Sequence, residues 1–339
     1  SVRLVSQLCR PSSQMTDATS RWQVVSHREL TEQCKPAPEL VVDLLPTQSL
    51  CVMVGDAGIG KSPLLYQLAL SIAVGAPFLG LTAHTSRVLY CDFENAVSQV
   101  RTLIDRLLGH MHLKNAPDNL MLWNLNASME FWSEKKFAEM IIELNPKLVI
   151  LDSLGAFSPL AEEKNTSAQA LYRRLRMVMA QAGTTILLVH HLRKADKNQK
   201  RLTESLETGE VRRWFSDARG PSSIINGADV RIGLSLPRTT DSTAIVMRGF
   251  GRISGELPLM YLTRVYDEAG VALGYQRADP GDVLLTDAQK DTLRRLSASF
   301  RFSEARRFYG KGSQATLDFL NKCIGCGLVS RNGSSYKRG

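Results

Sequence analysis

Residues Gly55-Asp56-Ala57-Gly58-Ile59-Gly60-Lys61-Ser62 fit the pattern GxxxxGK[ST] and narrow what this chain can fold into more than any other stretch. An apolar run, Leu50 to Val54, precedes them and reads as a buried strand. Leu64 to Ala73 follow with apolar residues at helical spacing. Strand, glycine-rich loop and helix in that order make a cradle for a phosphate chain. Glycines let backbone N–H groups turn inward, and the helix N-terminus adds its dipole. Lys61 reaches the outer phosphates, and the Ser62 hydroxyl is placed to hold Mg²⁺. One residue departs from the pattern's usual continuation. Pro63 suits the first helical turn, where N–H groups lack intrahelical partners. In P-loop proteins, however, the N–H at this place commonly touches the α-phosphate, and proline has none. A usable site with a weaker grip on nucleotide is expected.

The rest of the chain alternates strand and helix. Strands are expected at Arg87 to Phe93, Leu120 to Asn124, Lys147 to Asp152 and Thr184 to His190. Helices are expected at Asn95 to Leu108, Glu134 to Leu144 and Thr166 to Ala182. This alternation implies an α/β fold with a mostly parallel sheet and helices on both faces. After residue 225 the texture changes. Ala228 to Leu236, Thr243 to Arg248 and Leu257 to Tyr266 read as strands without long helices between them, and are expected as antiparallel edge strands. The boundaries that follow are an N-terminal arm over 1–35, with a short helix at His27 to Gln33 and a role between subunits. An ATPase core spans 36–278, a linker 279–285, and a terminal domain 286–339.

Charge separates the last domain from the rest. The net charge is +9. Residues 286–339 hold eleven Lys/Arg against four Asp/Glu, which places +7 in the tail. The tail reads as helices at Asp287 to Ala298, at Ser303 to Phe308 and at Gln314 to Cys323. A strand–Asn332-Gly333–strand hairpin closes it. Three helices and a hairpin make a winged helix-turn-helix, with Gln314 to Cys323 as recognition helix and duplex DNA as ligand. Such modules also dock proteins, and the sequence leaves that alternative open. Elsewhere, Leu192 to Arg219 carries eight Lys/Arg against five acids and little apolar pattern, which suits a mobile loop on single-stranded DNA.

Other features exclude whole classes. No apolar run reaches the length of a membrane span, and Ser1 to Gln14 lack the apolar centre of a secretory signal. The six cysteines are scattered, as expected of free thiols in a cytoplasmic protein. Cys323-Ile324-Gly325-Cys326 is a lone CxxC without the further ligands zinc needs.

Nucleotide hydrolysis needs a metal holder, a base for water, a γ-phosphate sensor and a stabiliser of developing charge. Asp152 ends an apolar strand, in the pattern that places a carboxylate beside Mg²⁺ with Ser62. Glu94, just past a strand end, is the expected base, and Asp92 is the alternative. His190 and His191 end a further strand at the same sheet edge, where ligands bind in such folds.

The run Val42 to Pro46, the P-loop, Arg87 to Glu94, Leu148 to Ser153 and Ile186 to Lys194 together resemble the RecA-like ATPases. The similarity is greatest to the RepA-type hexameric replicative helicases of plasmids, phages and mobile elements, and covers residues 38–270. It implies ATP and Mg²⁺ as cofactors, Lys61 and Asp152 in catalysis, Glu94 as base and His191 as sensor. Arg219, in Arg219-Gly220-Pro221-Ser222-Ser223-Ile224, becomes an arginine finger that enters a neighbouring subunit's site, and Arg101 a second cation near the γ-phosphate. It also implies a homohexamer, single-stranded DNA held by loops 155–166 and 192–218, and partners such as a replication initiator or primase. Two rival readings stay open: a regulatory or loader ATPase that does not unwind, and a DNA-binding adaptor whose P-loop is only structural.

Overall fold

The computed structural model describes residues 26–33, 38–124, 134–193, 206–207, 210–237 and 244–339. Of the expected arm, only the helix α1 (His27–Gln33) and its cap fall within them. Residues 194–205 and 208–209 of the basic run lie outside them.

A short antiparallel pair, β1 (Glu39–Val41) and β2 (Leu45–Pro46), leads into β3 (Leu50–Gly55) and α2 (Lys61–Val74). Then come β4 (Val88–Asp92), α3 (Val97–His110), β5 (Leu120–Asn124), α4 (Glu134–Leu144) and β6 (Leu148–Asp152). The 155–166 stretch, expected as a loop, is helical. It forms α5 (Leu154–Phe157), α6 (Pro159–Glu163) and the start of α7 (Asn165–Ala182). Pro159 at a first helical position favours the turn, because its ring fixes φ where the helix needs it. Strand β7 (Thr185–His191) follows, then α8 (Val211–Trp214), a 3₁₀ turn at Phe215–Asp217, and α9 (Ser222–Gly227).

The remaining strands are β8 (Val230–Ser235), β9 (Ala244–Gly251), β10 (Gly255–Glu256), β11 (Met260–Tyr266) and β12 (Ala272–Ala278). The main sheet has the order β12-β11-β9-β8-β3-β7-β6-β4-β5, with β10 on β9. From β8 through β5 every pairing is parallel, and β9, β11 and β12 are antiparallel. Two expectations are corrected here. β8 is a parallel strand beside β3, because the long segment from β7 to β8 brings the chain back to the same sheet end. The outermost strand is β12, whose residues show no strand period of their own.

The core strands are buried on both faces, as parallel strands under two helical layers must be. Cys51, Met53, Tyr90, Ile150 and Val189 face α2 and α3. Leu50, Val52, Val54, Cys91, Leu151 and Leu188 face the opposite layer, which includes α4 and α7. Helix α2 is buried nearly all round, which marks a helix covered on every side rather than an amphipathic one. Its extra cover is β12.

The expected 279–285 linker is largely the helix α10 (Pro280–Leu284). The Asp279 carboxylate accepts from Gly281 N at 2.7 Å and caps it. Beyond it lie α11 (Asp287–Arg295), β13 (Ser299–Arg301), α12 (Phe302–Tyr309), α13 (Ser313–Gly325), β14 (Val329–Asn332) and β15 (Ser335–Arg338). The last strands form a three-stranded sheet, β13-β15-β14. This unit has its own core around Leu296, Phe300, Phe319, Leu320 and Tyr336. Strand β13 adds to the expected hairpin because Phe300 stacks on Tyr336, centroids 5.6 Å apart. The described cysteines, Cys51, Cys91, Cys323 and Cys326, are free thiols. No described helix is long and apolar enough to cross a membrane.

Candidate nucleotide-binding site

Strand register brings the expected residues to one edge. Gly55 is level with His191 on β7, and Asp92 is level with Asp152 on β6. All stand at C-terminal strand ends, where the βα loops leave room for a ligand. A cavity of about 420 Å³ opens there between the P-loop, α3 and β12. Its lining includes Lys61, Ser62, Glu94, Asp152 and His191.

Lys61 is only 6% exposed. Its ammonium donates to Gly55 O at 2.9 Å, to Asp56 O at 2.8 Å and to His191 Nδ1 at 3.2 Å. Burial lowers its pKa, and the nearby Asp152, Glu94 and Asp56 oppose that. Because an ammonium can only donate, His191 Nδ1 accepts, and its Nε2 carries the proton. That Nε2 faces Glu94 Oε1 at 3.9 Å. The Ser153 hydroxyl donates to the same oxygen. The proximity of the His191 imidazole is the main cause that holds the Glu94 carboxyl down to about 2, with Ser153 adding to it. Lys61, His191 and Glu94 thus form one chain of polar contacts across the cavity floor. Glu94 keeps 44% of its side chain exposed, so water reaches it.

Asp92 and Asp152 have other duties. Asp92 is buried and accepts from Tyr66 Oη at 2.8 Å, from Glu94 N at 3.0 Å and from Asn95 N at 2.8 Å. It fixes the turn that presents Glu94, so of the two rival bases Asp92 is occupied and Glu94 faces the cavity. Asp152 is 1% exposed and accepts from Tyr90 Oη at 2.7 Å. Burial raises its pKa, and the nearby Ser62 and Tyr90 hydroxyls oppose that. Tyr66 and Tyr90 stack with centroids 3.8 Å apart and tie the two carboxylates together. A buried carboxylate held against desolvation beside a serine oxygen suits a hard divalent cation, which would offset that cost. Ser62 and Asp152 are therefore the residues that would hold Mg²⁺.

The second histidine points away. His190 is fully buried, and its Nε2 donates to Arg219 O at 2.6 Å. Its Nδ1 lies 3.2 Å from Glu162 Oε1. Glu162 Oε2 lies 3.4 Å from Arg219 Nε, and the contact with His190 lowers the Glu162 pKa. Arg219 is 61% exposed. With Glu94, Ser153, Glu162 and His191 it lines a second cavity of about 270 Å³. The arginine expected to reach a neighbour's site therefore stands beside its own. Arg101 is not brought to the cavity; it pairs with Asp105 at 2.8 Å on α3.

The wall opposite the P-loop comes from residues that carry no motif and that the sequence alone did not single out. The Tyr275 hydroxyl approaches Gly60 O at 3.3 Å, and Arg264 Nη2 donates to Ile59 O at 3.2 Å. The Gln67 side chain on α2 bonds both backbone groups of Tyr275, each at 2.8 Å. Gly60 has φ 107°, and a Cβ there would collide with the Tyr275 hydroxyl. The glycine serves the phosphate loop and the strand packed over it at once.

Residues 16–197 match the protein family described as AAA domain, which is just over half of the chain. The match takes in the P-loop, Glu94, Asp152 and both histidines, and stops short of Arg219 and the antiparallel strands. No curated protein matches the chain. The motif, the strand register that gathers Lys61, Glu94, Asp152 and His191, and this match agree: the chain belongs to the AAA domain family and is a P-loop ATPase of the AAA type.

Proposed function

We propose that the chain is an ATP-hydrolysing DNA motor that works as a hexameric ring, of the replicative-helicase kind. The observation that supports it most is the cavity itself. Lys61, Glu94, Asp152 and His191 line it, and Arg219 stands exposed on the adjoining rim. In this reading Lys61 binds the outer phosphates. Glu94 orients the attacking water and takes its proton as the oxygen approaches the γ-phosphorus. Mg²⁺, when bound by Ser62 and Asp152, neutralises charge on the phosphates. His191, bonded to Lys61 and facing Glu94, makes the base sensitive to what Lys61 holds. Arg219 leaves Glu162 to stabilise the transferring phosphoryl group in a neighbouring subunit. A second reading, with Arg219 serving its own site, is favoured by its place in one cavity with Glu94 and His191.

The terminal unit supports a nucleic-acid partner. Helix, strand, two helices and a hairpin are the order of a winged helix-turn-helix, and its net charge suits duplex DNA. Helix α13 is the recognition helix in this reading. Single-stranded DNA occupies the ring's channel, and a replication initiator or primase is the class of partner.

A forked-duplex assay tests the whole. ATP-dependent strand displacement is expected, with none from Glu94→Gln. DNA-stimulated turnover without displacement would favour a loader ATPase instead. Mixing Arg219→Ala with Glu94→Gln protein should restore partial activity, because some interfaces then pair an intact arginine with an intact base. No rescue at any ratio favours the same-subunit role.

A further inference from the structure

Pro63 leaves one place in the phosphate cradle without a donor. The first turn of a helix offers free N–H groups to an anion, and α2 lacks this one. The structure brings a different group to the same place. Arg106 on α3 lines the 420 Å³ cavity together with Ser62, Pro63 and Leu103. It also lines a 480 Å³ concavity that shares Ser62, Pro63 and Leu103 and adds Tyr66. Arg106 and Pro63 therefore line the same two concavities.

The fold of α3 explains why. Val100, Ile104 and Leu107 are its buried stripe. Leu103, Arg106 and His110 follow one another at helical spacing on an adjoining face. That face meets the nucleotide wall, since His110 Nε2 lies 3.3 Å from Tyr275 O and Leu103 lines the cavity. Arg101 is on another side and is paired to Asp105. Among the described residues the Arg106 side chain has no hydrogen bond or ion pair. An unpaired guanidinium at the lip of an anion cavity keeps its donors for the ligand.

We infer that Arg106 supplies the contact to the nucleotide's α-phosphate that Pro63 withholds. A guanidinium fork offers two parallel bonds to phosphate oxygens from a charged donor, where a backbone N–H offers one from a neutral donor. The cradle is then completed by a side chain from the next helix rather than by the loop's own backbone. This rests on the reading of the cavity as the nucleotide site.

Calorimetric titration with ADP tests it on the full chain, in a two-by-two set: unaltered, Arg106→Ala, Pro63→Thr and both together. Arg106→Ala should weaken ADP by about tenfold or more, the scale of a hydrogen bond to a charged group. In the Pro63→Thr background the backbone donates its own N–H, and the same change should cost about threefold or less, a coupling between neighbouring groups. Arg106→Lys should fall between, keeping the charge but losing the fork. The inference is overturned if Arg106→Ala leaves ADP affinity unchanged. It is equally overturned if the loss is the same in both backgrounds, since Arg106 would then act on another part of the nucleotide. Lys61→Ala, titrated in parallel, separates the two levels. If it too binds ADP normally, the cavity is not the nucleotide site; if it alone loses binding, only the role of Arg106 fails.

Discussion

The nucleotide cavity has two facing walls, and they are built by different means. One wall is the P-loop with the ends of β4, β6 and β7. Strand register sets its groups side by side, and hydrogen bonds from Tyr66, Tyr90 and Ser153 hold its carboxylates. The other wall is α3 with the β11–β12 hairpin. It reaches the P-loop through Arg264 and Tyr275, separated in sequence by 205 and 215 positions from the carbonyls they approach. The first wall carries the groups to which the proposed function gives the chemistry. The second touches the loop's backbone and shapes the space around it. The expectation is a division of labour: apart from Lys61, which takes part in both, changes in the first wall lower turnover, and changes in the second lower affinity.

Glu94→Gln is the strongest test. An amide cannot take the proton from water, so kcat should drop by roughly 10²–10⁴-fold while ADP binding persists. Asp92→Asn should not mimic it, because Asp92 is already committed to Tyr66 and the turn; if it does, the base is misassigned. The pH profile sharpens this. The folded-state pKa of Glu94 is depressed from 4.5 to about 2, chiefly by His191. Its contribution to stability is therefore present above 4.5 and lost as the pH falls toward 2. Glu94 should stay ionised across the working range. In His191→Ala the acid limb of kcat/KM should move upward as the carboxyl returns toward 4.5.

Lys61→Ala comes next, with a loss of roughly 10²–10³-fold in kcat/KM, the scale for removal of one donor to a developing oxyanion. Both kinetic constants should suffer, because the proposed function gives this residue a part in binding and in chemistry. The smallest effect belongs to the opposite wall. Tyr275→Phe removes hydrogen bonds near 3.3 Å to Gly60 O and 3.4 Å from Arg264 Nε. ADP affinity should fall by about 3–10-fold, as for a single net hydrogen bond, with kcat almost unmoved. A collapse of kcat in Tyr275→Phe would erase the distinction between the walls.

The two walls also differ in how far they could be read from residues alone. Lys61, Glu94, Asp152 and His191 follow strand ends, and a run of apolar residues that stops at a polar one marks such an end. Register then brings them together without any long-range information. Strand β12 gave no such mark: Gly274 and the polar run after Tyr275 interrupt its alternation, and its identity comes from pairing with β11. Gln67 sat in an apolar helix with nothing to show that it would bond the Tyr275 backbone. Tyr66 and Tyr90 looked like core, which they are, but their hydroxyls also hold Asp92 and Asp152. Glu162 fell in a stretch expected as loop, where the turn set by Pro159 makes a helix. The place of Arg219 beside its own site needed the fold as well, since it depends on a backbone bond from Arg219 N to His191 O at 2.9 Å.

Strand β12 has one more consequence, and it is mechanical. Tyr275 rests on the P-loop, and the strand ends at Ala278; Asp279 then caps α10, whose Val283 is anchored in the main core while Gly281 lies against Leu328 of the terminal unit. At roughly 3.3 Å per residue, the tyrosine and the cap are little more than a dozen ångströms apart along an extended backbone. The covalent path from the terminal unit to the carbonyl of Gly60 is therefore short: it runs back along β12 and ends on the Tyr275 hydroxyl 3.3 Å away, with Val283 fixed to the main core along it.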